Sequence, residues 1–165
     1  MEYDGRTVAI TGASRGLGAA AARRFAAEGA HVAICARDAE ALGNVADGIE
    51  AEGGRVTALR ADVRDEFDVE RFVETAAREG DGIDVVLANA GVYHGDPTET
   101  LLAEESYTAF DDHVRTNSRG VFTTVREALA HLNDGARVLV PSGSVAREAK
   151  AGLGSYAVSK AGAEA

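Results

Sequence analysis

The feature that most constrains this chain is an alternation. Short apolar runs, TVAI (7–10), HVAICA (31–36), RVTAL (55–59), IDVVLA (83–88) and ARVLV (136–140), are separated by longer amphipathic stretches. The short runs are apolar on both faces, which suits strands of a parallel sheet covered on both sides. The longer stretches carry helical stripes. These are Leu17, Ala21 and Phe25; Leu42, Val45 and Ile49; Val69, Phe72, Val73 and Ala76; and Val114, Val121, Val125, Leu129 and Leu132. Strands alternating with helices of this length form βαβ units with right-handed crossovers, so the chain reads as an α/β fold with a doubly wound parallel sheet. No repeat, low-complexity block or Pro/Ser-rich linker divides its 165 residues, and residues 1–165 read as one domain.

Composition narrows the function classes. An apolar content of 45% with two prolines argues against disorder. No apolar run approaches the ~20 residues that span a bilayer, and MEYDGRTVAITG lacks the basic-then-apolar layout of a signal peptide. The single cysteine, Cys35, excludes an internal disulfide and fits a reducing cytosol; its place in a strand makes it a small core residue. His31, His94, His113 and His131 show no metal-ligand spacing, and exposed loop or helix positions explain them best. A net charge of −10 makes nucleic acid or an anionic membrane an unfavourable partner. Only Lys150 and Lys160 are lysines among 17 basic residues, which fits either salt adaptation or a GC-rich genome.

Directly after the first strand comes TGASRGLG (11–18), leading into the first helix. Gly12, Gly16 and Gly18, with Ser14, Arg15 and Leu17 between them, make a tight turn whose backbone N–H groups can approach a phosphate. The helix N-terminus adds partial positive charge at the same place. The spacing is G-x-x-x-G-x-G rather than G-x-G-x-x-G, and a turn that merely packs helix on sheet is the competing reading. Strand two ends in CARD. Arg37 there favours the 2′-phosphate of NADP over the free 2′-OH of NAD, with Arg15 as a clamp from the other side and NAD still possible. A solvated Arg37 is the plainer alternative; Asp38 is better placed as the N-cap of the next helix. Asp62, beside Val63 at the end of strand three, suits either the adenine amino group or the cap of the following helix. Asn89, Ala90 and Gly91 lie at the carboxyl edge of strand four, where open α/β sheets bind ligands. Asn89 could equally tie strands together.

These residues resemble the short-chain dehydrogenase/reductase family. TGASRGLG is similar to its T-G-x-x-x-G-x-G turn and NAG (89–91) to its N-A-G motif. TNSRGVF (116–122) is similar to its N-x-x-G helix segment, and SYAVSK (155–160) contains its Y-x-x-x-K. The four motifs stand in family order from Arg6 to the last residue. The resemblance implies a Rossmann-type fold and a four-residue site acting on a carbonyl or secondary alcohol. Tyr156 would be the acid/base, and Lys160 would bind the nicotinamide ribose and stabilise the phenolate. Asn117 would anchor a water that relays protons through Lys160. Ser144, with Ser142 as fallback, would donate to the substrate oxygen. Independently, tyrosine titrates near ~10 and needs a nearby cation to work at neutral pH. Positions i and i+4 share a helix face, so Tyr156 and Lys160 can enter one cleft.

Two departures stand out: Ala88 before NAG, and VPSGS, where Pro141 and Gly143 alter the backbone beside Ser144. Family members are longer, with a sheet ordered 3-2-1-4-5-6-7. Five strands ordered 3-2-1-4-5 are expected here, and the chain reads as an N-terminal fragment of a parent expected to be a cytoplasmic homo-oligomer, dimer or tetramer. Residues 91–106 would form part of the pocket for a small-molecule substrate. Candidates include 3-oxoacyl thioesters, sugars, polyols and small ketones. A non-catalytic dinucleotide-binding protein is the alternative from another class. A methyltransferase also uses a glycine turn, but gives Tyr156 and Lys160 no task.

Overall fold

The computed structural model describes residues 2–95, 101–148 and 150–165. Five parallel strands form one sheet: β1 (Thr7–Thr11), β2 (His31–Ala36), β3 (Arg55–Arg60), β4 (Ile83–Leu87) and β5 (Leu132–Leu139). Their order is β3-β2-β1-β4-β5, as the resemblance implies. Between them run α1 (Gly16–Ala27), α2 (Ala39–Ala51), α3 (Glu66–Gly80), α4 (Tyr107–His113) and α5 (Gly120–Ala128), followed by α6 (Gly154–Glu164). A π-helical segment, Val114–Arg119, joins α4 to α5.

The strand period of two divides the core between the two faces of the sheet. Val8, Ile10, Val32 and Ile34 pack with Ala19, Ala22, Leu42, Val45 and Ile49 of α1 and α2. Ala9, Ala33 and Cys35 face Val69, Phe72, Val73 and Ala76 of α3, with Ala128 of α5. The stripes expected on α2 and α3 are therefore the buried ones. Cys35 is 1% exposed, a core residue whose thiol pKa is pushed up by burial.

Two stripes differ from expectation. In α1 the wholly buried face is Gly18, Ala19, Ala22 and Ala26, while Leu17 is 61% exposed and Ala21 and Phe25 are half-buried. Small residues let this helix lie close over β1 and β2, and the larger Leu17 is left outside. The stripe drawn through Leu132 also ends early. Leu129 is exposed in a 3₁₀ turn, Leu129–His131, and Leu132 is already in β5, paired with Ile83. The β4–β5 register then shifts, so that Val85 faces Arg137. Val138 and Leu139, at the end of β5, stay exposed. Among the described residues no helix is long and apolar enough to cross a membrane.

Candidate active site

The carboxyl ends of β1, β2, β3 and β4 open onto a cleft of about 710 Å³. Gly12, Ser14 and Arg15 line it from the glycine turn, Arg37 and Asp38 from the end of β2, and Asp62 and Val63 from the end of β3. Asn89, Ala90 and Gly91 complete it after β4. Gly12 has φ +67°, and a Cβ there would lie 2.7 Å from Ala90 Cα. A side chain is excluded by conformation and by space, which keeps backbone at the cleft floor. At Gly18 a Cβ would meet Gly12 O at 2.4 Å and Asn89 Nδ2 at 2.6 Å. Gly16 and Leu17 stand exposed at the start of α1.

The NAG segment is tied to this turn. Asn89 Nδ2 donates to the carbonyls of Thr11 (3.0 Å) and Gly12 (3.1 Å), and the Asn89 and Ala90 amides both donate to Thr11 Oγ1 at 3.1 Å. The strap reading of Asn89 therefore holds, with Thr11 as its partner. At the end of β2, Asp38 Oδ1 accepts from the Ala41 amide at 3.0 Å, the expected N-cap of α2. Arg37 is exposed at the cleft rim.

Asp62 does not cap α3; Asp65 does, accepting from the Phe67 and Asp68 amides. Asp62 instead receives the Arg64 backbone amide at 3.0 Å and its guanidinium at 2.7 Å. Partial burial works to raise the Asp62 pKa, but the hydrogen bonds from Arg64 outweigh it and hold the carboxyl below its ordinary range. Arg64 also reaches Asp112 at 2.7 Å.

Tyr156 and Lys160 are half-buried on one face of α6, with Lys160 Nζ 5.9 Å from the Tyr156 ring centroid. Lys160 Nζ donates to the Pro141 carbonyl at 3.1 Å, and burial lowers its pKa. The π segment carrying Asn117 packs against α6, as does the 3₁₀ turn Ser144–Ala146. Asn117 is fully buried; its Nδ2 donates to Val92 O (2.9 Å) and Ser159 Oγ (3.0 Å), and its Oδ1 accepts from the Val92 amide at 2.8 Å. Both amide protons are thus used in bolting the 92 loop to α6. Ser144 is exposed, and its Oγ accepts from Lys150 Nζ at 2.9 Å. Ser142 hydrogen-bonds Glu164 at the far end of α6.

The histidines depart most from the sequence reading. His31 is 5% exposed and His113 is 0% exposed, so neither is a surface residue. His113 packs beside Tyr156, ring centroids 5.9 Å apart, and Tyr93 meets Tyr156 edge-on at 5.0 Å. One signal was available: His113 stands four before Asn117, on the same helix face. Residues 96–100 of the expected pocket segment lie outside the described residues.

The sequence profile of the short chain dehydrogenase family matches residues 6–165. The chain belongs to the short-chain dehydrogenase family. A solved family structure from Burkholderia cenocepacia, described in complex with NADP, is 35% identical with a TM-score of 0.89 and is matched over 98% of this chain and 65% of its own. A blue fluorescent protein from a metagenomic library, described in complex with NADPH, is 32% identical with a TM-score of 0.87. It is matched over 98% of this chain and 65% of its own. A probable tetrahydroxynaphthalene reductase of Zymoseptoria tritici is 35% identical over 156 residues, which are 94% of this chain and 56% of that protein. The chain thus spans somewhat more than half the length of these similar proteins.

Proposed function

We propose that this chain carries the cofactor cleft and acid/base site of an oxidoreductase that interconverts a carbonyl and a secondary alcohol, with NADP preferred. The observation that carries the reading is the packing of α6, with Tyr156 and Lys160, against the π segment with Asn117 and the turn with Ser144, the π segment itself reaching the cleft through Thr116.

The cleft fits a dinucleotide on its own residues. A Cβ at Gly12 would fill space next to Ala90, so backbone lies where a pyrophosphate needs close approach. Ser14, Gly16, Leu17 and Gly18 belong to that cradle. Arg37 and Arg15 line the rim, while the Asp38 carboxylate is spent on the Ala41 amide. That favours a 2′-phosphate over a free 2′-OH. Asp62 keeps its charge through Arg64 and, with Val63, faces the adenine side. Asn89, Ala90 and Gly91 form the opposite wall. NADP, when bound, supplies or accepts the hydride.

The chain's own residues handle the proton. Tyr156 gives its hydroxyl proton to the substrate oxygen in reduction and takes one in oxidation. Lys160, held by Pro141, keeps a cation at the ring and stabilises the phenolate. Ser144 receives Lys150 at its oxygen, which leaves its own proton free to point at substrate; the Glu164 contact of Ser142 favours Ser144 for this task. Asn117 works from its bolted position behind α6, and a role in holding water falls to its backbone, since both side-chain amide protons are used. The substrate is a small molecule, and a homo-oligomeric full-length parent belongs to the same reading.

The test is a titration with NADPH and NADH, followed by NADPH oxidation over a panel of ketones. Tighter NADPH binding with ketone-dependent oxidation is expected. Binding without oxidation by any ketone would favour a non-catalytic dinucleotide-binding protein.

A further inference from the structure

The helix that carries Tyr156 has no cap of its own. Leu153 stands at its N-cap position and offers no side-chain hydrogen bond. Helix N-terminal amides need partners, and a Ser, Thr, Asp or Asn usually supplies one from the adjoining chain. Here the partner comes from fifty residues away. Glu105 Oε2 accepts from the Ser155 amide at 3.0 Å, and Ser155 Oγ donates to Glu105 Oε1. The carboxylate also places negative charge at the positive end of the helix dipole.

The chain of bonds continues inward. His113 Nδ1 lies 2.6 Å from Ser155 Oγ, and His113 Nε2 accepts from the His94 amide at 2.9 Å. A backbone N–H can only donate, so Nε2 carries the lone pair and the proton sits on Nδ1. That proton goes to Ser155 Oγ, whose own proton goes to Glu105. Every bond therefore runs in one direction, from the His94 amide to the Glu105 carboxylate. His113 is 0% and Ser155 1% exposed, so neither has water as a substitute partner. Burial first, and the nearby charge of His94 second, lower the His113 pKa against Glu105 and Asp112, which helps keep the ring neutral. Space is shaped to match: a Cβ on Gly154 would lie 2.8 Å from Glu105 Oε2 and 2.8 Å from Leu102 Cδ1.

We infer that Glu105, Ser155 and His113 are positioning residues that fix the first turn of α6 and so the direction of the Tyr156 phenol. Ser155 precedes Tyr156 in the chain, and the His113 ring packs against the Tyr156 ring at 5.9 Å between centroids. The hold is thus double, through backbone and through ring. The inference rests on the reading of Tyr156 as the acid/base.

The test compares wild-type protein with Ser155→Ala, Ser155→Thr, Glu105→Gln and Gly154→Ala. Two readouts are independent of turnover. Heteronuclear NMR of the imidazole nitrogens reads the His113 tautomer, and hydrogen exchange reads the amides of residues 155–158. The expected results are a protonated Nδ1 in wild type, and faster exchange in Ser155→Ala, Glu105→Gln and Gly154→Ala but not in Ser155→Thr. With substrate, Ser155→Ala should lower kcat about 10- to 100-fold, the size of loss that follows a misplaced catalytic group, with NADPH affinity unchanged. Ser155→Thr should restore most of it. A proton on Nε2, or wild-type exchange in Ser155→Ala and Glu105→Gln, overturns the inference. So does an equal kcat loss in Ser155→Thr and Ser155→Ala. Absence of turnover in wild type contradicts the reading of Tyr156 instead, and the NMR and exchange results then decide this inference alone. If Ser155→Ala does not fold, Glu105→Gln and Gly154→Ala carry the same comparison.

Discussion

In the proposed reading, cofactor choice turns on Arg37. It stands at the cleft rim with Asp62 near enough to feel its charge, while its neighbour Asp38 is occupied as a helix cap. A charge-assisted contact to a phosphate is worth about 1.5–3 kcal/mol, roughly one to two decades of affinity. Arg37→Gln should therefore weaken NADPH binding about 10- to 100-fold and leave NADH nearly unchanged, read by titrating each cofactor. Equal weakening of both would remove Arg37 from the 2′-phosphate. This residue was legible in the sequence because its position past strand two follows from the strand pattern alone. The partners of Asp62 were not. Asp65 caps α3 because the helix begins at Glu66, and the capture of Asp62 by Arg64 is a matter of three-dimensional placement.

At the scale of elements, the contact of α1 with the strand ends carries the cleft. Gly18 admits the Gly12 carbonyl and the Asn89 amide within distances no Cβ tolerates. Gly18→Ala must push α1 away from Asn89, a backbone shift that costs about 1–3 kcal/mol. A lower urea midpoint together with weaker NADPH binding is expected, and an unchanged midpoint would contradict the close packing. The same helix explains where periodicity misled. A search for large apolar residues draws its stripe through Leu17, yet the buried face is glycine and alanine, which such a search cannot see. On α2 and α3 the core residues are large, and their stripes read correctly. Leu132 was lost for another reason: the helix tightens into a 3₁₀ turn and changes to strand without a proline or glycine to mark it. The Glu105–Ser155 contact joins residues fifty apart, so no local pattern could announce it.

For the molecule as a whole, two buried histidines set how stability varies with acidity. Burial is the first cause of the lowered pKa at both His31 and His113, which favours the neutral rings in the folded chain. The unfolded chain binds more protons once the pH falls below ~6.5, so stability is full above that value and declines beneath it. Asp62, Asp84 and Asp112 are held below their ordinary range, so their contribution is lost only as pH falls below ~3.9. Urea midpoints should therefore drop between about pH 7.5 and about pH 5.5, ahead of any carboxylate loss. A flat midpoint across that window would mean the two rings are not held neutral. A single substitution addresses the chemistry of the site. Tyr156→Phe removes one oxygen and leaves the cleft, Lys160 and the helix cap in place. NADPH should bind this variant as it binds wild type, while ketone-dependent NADPH oxidation falls by about 100- to 10,000-fold, the range of a lost acid/base. Oxidation at the wild-type rate by Tyr156→Phe would contradict the account.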